Sequence, residues 1–255
     1  MMQVFRGVGV ALVTIFTGDG AIDPGATSKL AADLVARGMQ AVLVVGSTGE
    51  APTLEAAERR TLIEAVRETV PAPIPVIAGT GAPSIRQAAA LTSDAVAAGA
   101  DAVLAWAPLR AAGGQPGYFQ AVADAAAGRP VLAYHFPQAL PPGIPAETLA
   151  DLPVAGVKDS SGDPDRLLYE LSHYDGATYV GSSALLALAG PMGGTGALLA
   201  LANIEPERCA AAFGGDAQLQ RDLADRHLTA KREGPASLKR VLAQTHGLSP
   251  VMRAG

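Results

Sequence analysis

The chain has 255 residues, 49% hydrophobic and 17% charged, which supplies a large core and excludes a disordered or fibrous protein. Its 19 basic and 24 acidic residues leave a net charge of −5 with no basic run, which argues against a nucleic-acid or anionic-membrane surface. The 29 glycines and 19 prolines punctuate many short elements, and the one cysteine, Cys209, can form no internal disulfide.

Arg6 and the apolar run Gly7–Phe16 have the outline of a short signal peptide. Only Thr17-Gly18-Asp19-Gly20 follows, without a small-x-small cleavage site, so a buried first strand at Val8–Val13 and a cytoplasmic location are expected. No run approaches the ~20 apolar residues of a membrane-spanning helix. Asp23-Pro24 opens a helix to about Arg37, which Gly38 stops. Ala41–Val45 predicts the second strand. Thr53 is the expected cap of a helix from Leu54 to about Val70, with Glu55 and Glu58 near its positive end. Further strands are predicted at Pro75–Ala78, Ala102–Ala105, Val131–Tyr134, Val154–Val157, Thr178–Val180 and Ala197–Ala200. They alternate with helices near Pro83–Ala98, Pro116–Ala127, Pro145–Leu152, Pro164–His173, Ala184–Ala189 and Pro206–Phe213. Two more helices follow, near Ala217–Lys231 and Ala236–Thr245.

The strands are continuous apolar runs, as in parallel sheets buried on both faces. Strand–helix units of this length and number predict a (β/α)8 TIM barrel over residues 1–214, with residues 215–255 as a short C-terminal helical appendage packed on it. A doubly wound open sheet is the alternative, but Thr17-Gly18-Asp19-Gly20 is not its glycine fingerprint.

Active sites of such barrels lie at the C-terminal strand ends. Of the four lysines, Lys29, Lys231 and Lys239 fall on predicted helices and are read as solvated charges. Lys158 follows the apolar run Val154–Val157 into the barrel, where desolvation lowers an amine's pKa and makes it a nucleophile for carbonyls. The bland alternative is an ion pair with Asp159. Tyr134 ends the neighbouring strand and can shuttle protons, or it is a core aromatic. Gly46-Ser47-Thr48-Gly49-Glu50 offers two hydroxyls and a run of backbone amides for a small anion, or is an ordinary turn. His135 is the histidine at this face and is read as a support group or substrate contact. No metal site is expected, because the four histidines are scattered.

Together these segments resemble the dihydrodipicolinate synthase / N-acetylneuraminate lyase family of pyruvate-dependent class I aldolases. The likeness runs from about Gly7 to Ala212 and resumes at Pro235–Val251. Its Gly-Thr-Thr-Gly-Glu stands here as Gly46–Glu50, its Tyr-Asn-x-Pro as Tyr134-His135-Phe136-Pro137, and its Schiff-base segment as Gly156-Val157-Lys158-Asp159. Its glycine-rich eighth strand stands as Gly193-Gly194-Thr195-Gly196-Ala197-Leu198. The resemblance implies a covalent Schiff base of Lys158 with pyruvate and no separate cofactor. It makes Lys158, Tyr134 and Thr48 the catalytic set, and Ser47, Thr48, Gly181, Ser182, Leu198 and His135 the substrate contacts. It also implies a homo-oligomer with small-molecule partners.

Three departures bear on substrate choice and assembly. The synthase's arginine five residues after the tyrosine is Ala139. The Pro-Tyr-Tyr after strand four is Pro108-Leu109-Arg110, so Arg110 is a candidate substitute cation. The C-terminal region is shortened. A lyase or aldolase of 2-oxo-3-deoxy sugar acids is therefore expected first, and dihydrodipicolinate synthase activity second. A dehydratase using the same imine, a non-catalytic 2-oxo acid binder, and a phosphate-sugar enzyme with Gly181-Ser182-Ser183 as phosphate site are further alternatives.

Overall fold

In the computed structural model, residues 3–106 and 114–254 are described. Pro108, Leu109 and Arg110 lie outside them, so the substitution expected of Arg110 has no structural description. No described helix is long and apolar enough to cross a membrane.

Eight parallel strands close into a barrel in chain order. They are β1 (Gly7–Ala11), β2 (Val42–Val44), β3 (Val76–Gly79), β4 (Ala102–Ala105), β5 (Val131–His135), β6 (Gly156–Asp159), β7 (Ala177–Val180) and β8 (Gly196–Leu199). Closure is direct, with Gly7 opposite Gly196 and Val10 opposite Leu199. The continuous apolar runs divide by strand parity, because successive side chains leave opposite faces. Leu43, Ile77, Leu104, Leu132, Tyr134, Tyr179 and Leu198 fill the barrel. Their neighbours Val42, Val44, Val103, Ala133, Val157 and Leu199 pack outward on the helices. Phe5 stacks on Tyr179 with ring centroids 4.6 Å apart, and the Tyr179 hydroxyl donates to the Phe5 carbonyl, closing the N-terminal end.

The outer ring comprises α1 (Pro24–Ala36), α2 (Ala56–Thr69), α3 (Ile85–Ala97), α4 (Gly114–Ala125), α5 (Pro164–His173), α6 (Leu186–Ala189) and α7 (Pro206–Phe213). The C-terminal helices are α8 (Ala217–Asp222), α9 (Ala224–Glu233) and α10 (Pro235–His246). Asp23 and Asp163 cap their helices as the Asp-Pro starts predict.

The helix expected at Ala217–Lys231 is two, α8 and α9, meeting at Leu223, and other boundaries also differ from the sequence expectation. β1 stops at Ala11, because the Val13 amide donates to Asn203 Oδ1 at 3.1 Å instead of continuing the ladder. Thr53 does not cap α2; it closes a preceding 3₁₀ turn by donating to the Glu50 carbonyl, and Glu55 takes the cap, with its amide donating to the Glu58 carboxylate. The segment at Ala146–Asp151 is 3₁₀ rather than α-helical. β6 lies two residues later than the apolar run suggests, so Lys158 and Asp159 are strand residues opposite Tyr134 and His135.

Candidate active site

Lys158 stands between Val157 and Asp159, which face outward, so its stem enters the barrel beside its register partners Tyr134 and Tyr179. It is 5% exposed, with Nζ 4.6 Å from the Tyr134 ring centroid. Desolvation is the sole cause pushing its amine down from 10.5 to about 7. The alternative ion pair with Asp159 does not form. Asp159 leaves the opposite face of β6, where its carboxylate accepts from the Ser161 amide at 2.7 Å and lies 3.6 Å from Arg166 Nε. Arg166 also reaches the buried Glu170, and burial pushes that carboxyl up to about 8.

Burial raises the Tyr134 phenol, and the Ser160 and Ser47 hydroxyls partly offset this. The tyrosine is thus protonated at neutral pH and surrounded by groups that can pass a proton. Ser160 and Lys158 approach the backbone of residue 181 closely. A Cβ there would overlap the Ser160 hydroxyl and press on Lys158 Cε at 3.1 Å, so the approach requires Gly181.

The turn Gly46–Glu50 supplies fewer free amides than its sequence suggests. Gly49 and Glu50 donate within the turn, to Gly46 O at 3.0 Å and Ser47 O at 3.1 Å. The amides of Ser47 and Thr48 have no acceptor among the described residues, and the two side chains are exposed and half-buried. Left-handed backbone at Val45 (φ 49°) and Glu50 (φ 56°) brackets the turn. Such conformations persist only where surroundings enforce them. Here Glu50 is buried, and its carboxylate accepts from Lys239 Nζ at 2.6 Å and from the Arg253 and Ala254 amides at 2.8 Å each. Arg253 in turn pairs with Glu58 through both guanidinium nitrogens. The C-terminal segment therefore clasps the turn. Lys239, read from sequence as a solvated charge, is fully buried.

A cavity of about 370 Å³ gathers Lys158, Tyr134, Ser47, Thr48, Ser182 and Leu198, and Gly181 lines it too. A second, of about 580 Å³, meets it at Lys158, Tyr134 and Ser47 and extends toward Trp106. His135 does not reach either. Its parity points it outward to a separate cavity beside Arg166, where Nδ1 accepts from the Ile144 amide at 2.9 Å. Burial, aided by Arg166, pushes its imidazole down to about 4. The expected substrate contact is therefore corrected to a neutral, structural histidine. Ser160, Ser183, His227 and Lys231 also line the first cavity. Ser160 was accessible from its place in the strand-end segment; the α9 residues carried no sequence signal, since nothing local tells which helix face meets the barrel. No three His, Cys, Asp or Glu side chains converge as a metal site among the described residues. Cys209 is buried in α7, its thiol pushed up to about 12.

The class is a closed (β/α)8 barrel with a buried amine, a phenol and a hydroxyl-bearing turn gathered at one cavity, where barrel enzymes carry their sites. The comparisons narrow it. The model of the dihydrodipicolinate synthetase family matches residues 4–230. A 4-hydroxy-tetrahydrodipicolinate synthase of Salinibacter ruber is 34% identical, over 98% of this chain and 89% of its own length. A second, of Pseudomonas aeruginosa, is 37% identical, over 85% of this chain and 78% of its own. The chloride-inhibited dihydrodipicolinate synthase of Acinetobacter baumannii, solved with pyruvate, superposes with a TM-score of 0.87 at 28% identity, over 99% of this chain and 92% of its own. The chain belongs to the dihydrodipicolinate synthetase family, and it is an enzyme of that pyruvate-dependent lyase and synthase group.

Proposed function

We propose that this protein condenses pyruvate with aspartate semialdehyde through a Schiff base on Lys158, as a 4-hydroxy-tetrahydrodipicolinate synthase. The observation that carries the imine is the buried Lys158 amine, which pairs with no carboxylate among the described residues and lies against the Tyr134 ring. Nearly full-length relatives bearing that synthase name support the choice of second substrate over the sugar-acid cleavage that the sequence alone ranked first.

The free amide hydrogens and hydroxyls of Ser47 and Thr48 hold the pyruvate carboxylate. The neutral Lys158 amine attacks the ketone carbon, and water leaves as the iminium forms. The iminium draws electrons from the methyl group, which loses a proton and becomes an enamine nucleophile. That carbon attacks the aldehyde, and Tyr134, with Thr48 in the relay, protonates the new alkoxide. The aldehyde substrate's own amine then displaces Lys158 and closes the ring. An assembly of at least two subunits belongs to this reading; light scattering giving one subunit's mass at micromolar protein would exclude it.

Borohydride trapping with pyruvate, followed by peptide mapping, tests the imine: Lys158 is the labelled residue. Labelling of Lys29, Lys231 or Lys239 instead, or none while pyruvate binds, refutes it and leaves a non-catalytic 2-oxo acid binder. Side-by-side kcat/KM values for aspartate semialdehyde condensation and for pyruvate release from 2-oxo-3-deoxy sugar acids test the second substrate. Faster cleavage of the sugar acids reinstates the aldolase, which the hydroxyls of Ser182 and Ser183 favour.

A further inference from the structure

The first cavity is lined at Lys158 and also by a polar group of residues from the turn after β7 and from α9. There the turn after β7 meets α9. Ser183 Oγ lies 2.8 Å from His227 Nδ1, and the Ser183 carbonyl accepts from Gln220 Nε2 of α8 at 2.9 Å. His227 and Lys231 are one helical turn apart on α9, and both line the cavity. Burial and the neighbouring Lys231 hold His227 below the ordinary imidazole range, so it is neutral at pH 7. Glu233, the acidic residue nearest in sequence, is taken up by Arg232 and Arg240. Lys231 is exposed at the cavity mouth.

Among the described residues Lys158 and Lys231 are the cations lining this cavity. Lys158 is consumed in the imine. Ala139 is exposed and does not line the cavity. We propose that Lys231, on the helix that the His227–Ser183 hydrogen bond ties to the turn after β7, is the specificity residue that receives the carboxylate of the aldehyde substrate. This rests on the pyruvate–aldehyde condensation proposed above, and it selects short aldehydes that carry a carboxylate over neutral ones. An ammonium is a point charge on a flexible stem, so it recognises the charge of a carboxylate without bidentate geometry.

The test uses the full chain with pyruvate reduced onto Lys158 by borohydride, or saturated with pyruvate if no adduct forms. Calorimetric titration with succinate semialdehyde and with neutral butanal is compared in wild type, Lys231→Met and Lys231→Arg. Succinate semialdehyde binding weakens by about 10–100-fold in Lys231→Met, as for loss of one hydrogen bond to a charged group. Lys231→Arg stays within a few-fold of wild type, and butanal binding is the same in all three. The kcat/KM for aspartate semialdehyde falls by the same factor in Lys231→Met, with the pyruvate KM unchanged. Equal succinate semialdehyde binding in wild type and Lys231→Met overturns the inference, as does parallel loss of butanal binding, which marks a structural lesion. A wild type that traps pyruvate but does not turn over aspartate semialdehyde overturns the synthase reading alone, and the titration still decides the role of Lys231.

Discussion

Two lysines are buried in this protein, and they teach opposite lessons. Lys158 and Lys239 both place an ammonium over an aromatic ring, at 4.6 Å from Tyr134 and 4.3 Å from Phe16. Lys239 also donates to Glu50 at 2.6 Å and to the Val251 carbonyl at 2.8 Å, whereas burial acts on Lys158 unopposed. Burial alone does not make an amine reactive; burial without a carboxylate does. The two sites are also joined. Glu50 ends the turn that carries Ser47 and Thr48, so the paired lysine braces the hydroxyls that face the unpaired one.

The largest effect is expected from removing the unpaired amine. Lys158→Met should cost about 10⁴-fold or more in turnover, as for loss of a covalent nucleophile, with an unchanged circular dichroism spectrum. Turnover within ten-fold of wild type would remove the distinction between the two lysines. Tyr134→Phe deletes one hydroxyl and should slow turnover by about 10²–10⁴-fold, the usual worth of a positioned acid–base group. Unchanged single-turnover rates would make Tyr134 a packing residue.

Removing the paired lysine should act on stability. Lys239→Met leaves Glu50 buried and uncompensated, which costs about 3–5 kcal/mol in urea unfolding. The double variant Glu50→Gln/Lys239→Met should recover most of it. A loss of under 1 kcal/mol in the single variant would mean that water reaches the pair.

Lys158 should lower stability more than Lys239, whose amine burial also pushes down but Glu50 partly restores. Its folded amine titrates near 7 against 10.5 for an unperturbed lysine. Between those values the unfolded chain binds a proton that the folded chain has lost, so stability rises with pH across that window. Below about 7 both states are protonated and the burial penalty is felt in full. Lys158→Met should therefore be more stable than wild type by about 1–4 kcal/mol at pH 7, with the gain shrinking toward pH 10. A pH-independent difference would place the amine's titration elsewhere. The smallest effect is expected at His135, whose Nδ1 only receives the Ile144 amide. His135→Asn keeps an acceptor and should leave kcat and the pyruvate KM within about two-fold, since it makes no substrate contact. A larger change in the pyruvate KM would return His135 to the site.

The barrel was legible because its signals are local. Apolar runs bounded by Gly, Pro and Asp gave the strands, and Asp23-Pro24 and Asp163-Pro164 gave helix starts that the structure keeps. That Lys158, Tyr134, Ser47 and Thr48 gather at one cavity was legible for the same reason, since strand ends converge on one face of a barrel. His135 was misplaced because a two-residue shift of β6 and the parity of β5 decide which of two adjacent residues enters the barrel, and pairing register is a non-local property. Lys239 and Lys231 were both read as solvated helix charges. Which one meets Glu50 and which one meets the cavity depends on how α9 and α10 rotate against the barrel, and the contacts responsible lie far apart in the chain: Glu50 with Lys239, and Ser183 with His227. Sequence by itself determined the element order, the closed parallel barrel and the place of Lys158 at the end of its sixth strand. Tertiary structure alone decided which charges are buried, which are paired and which line the cavity, because desolvation and pairing depend on neighbours that only the folded chain brings together.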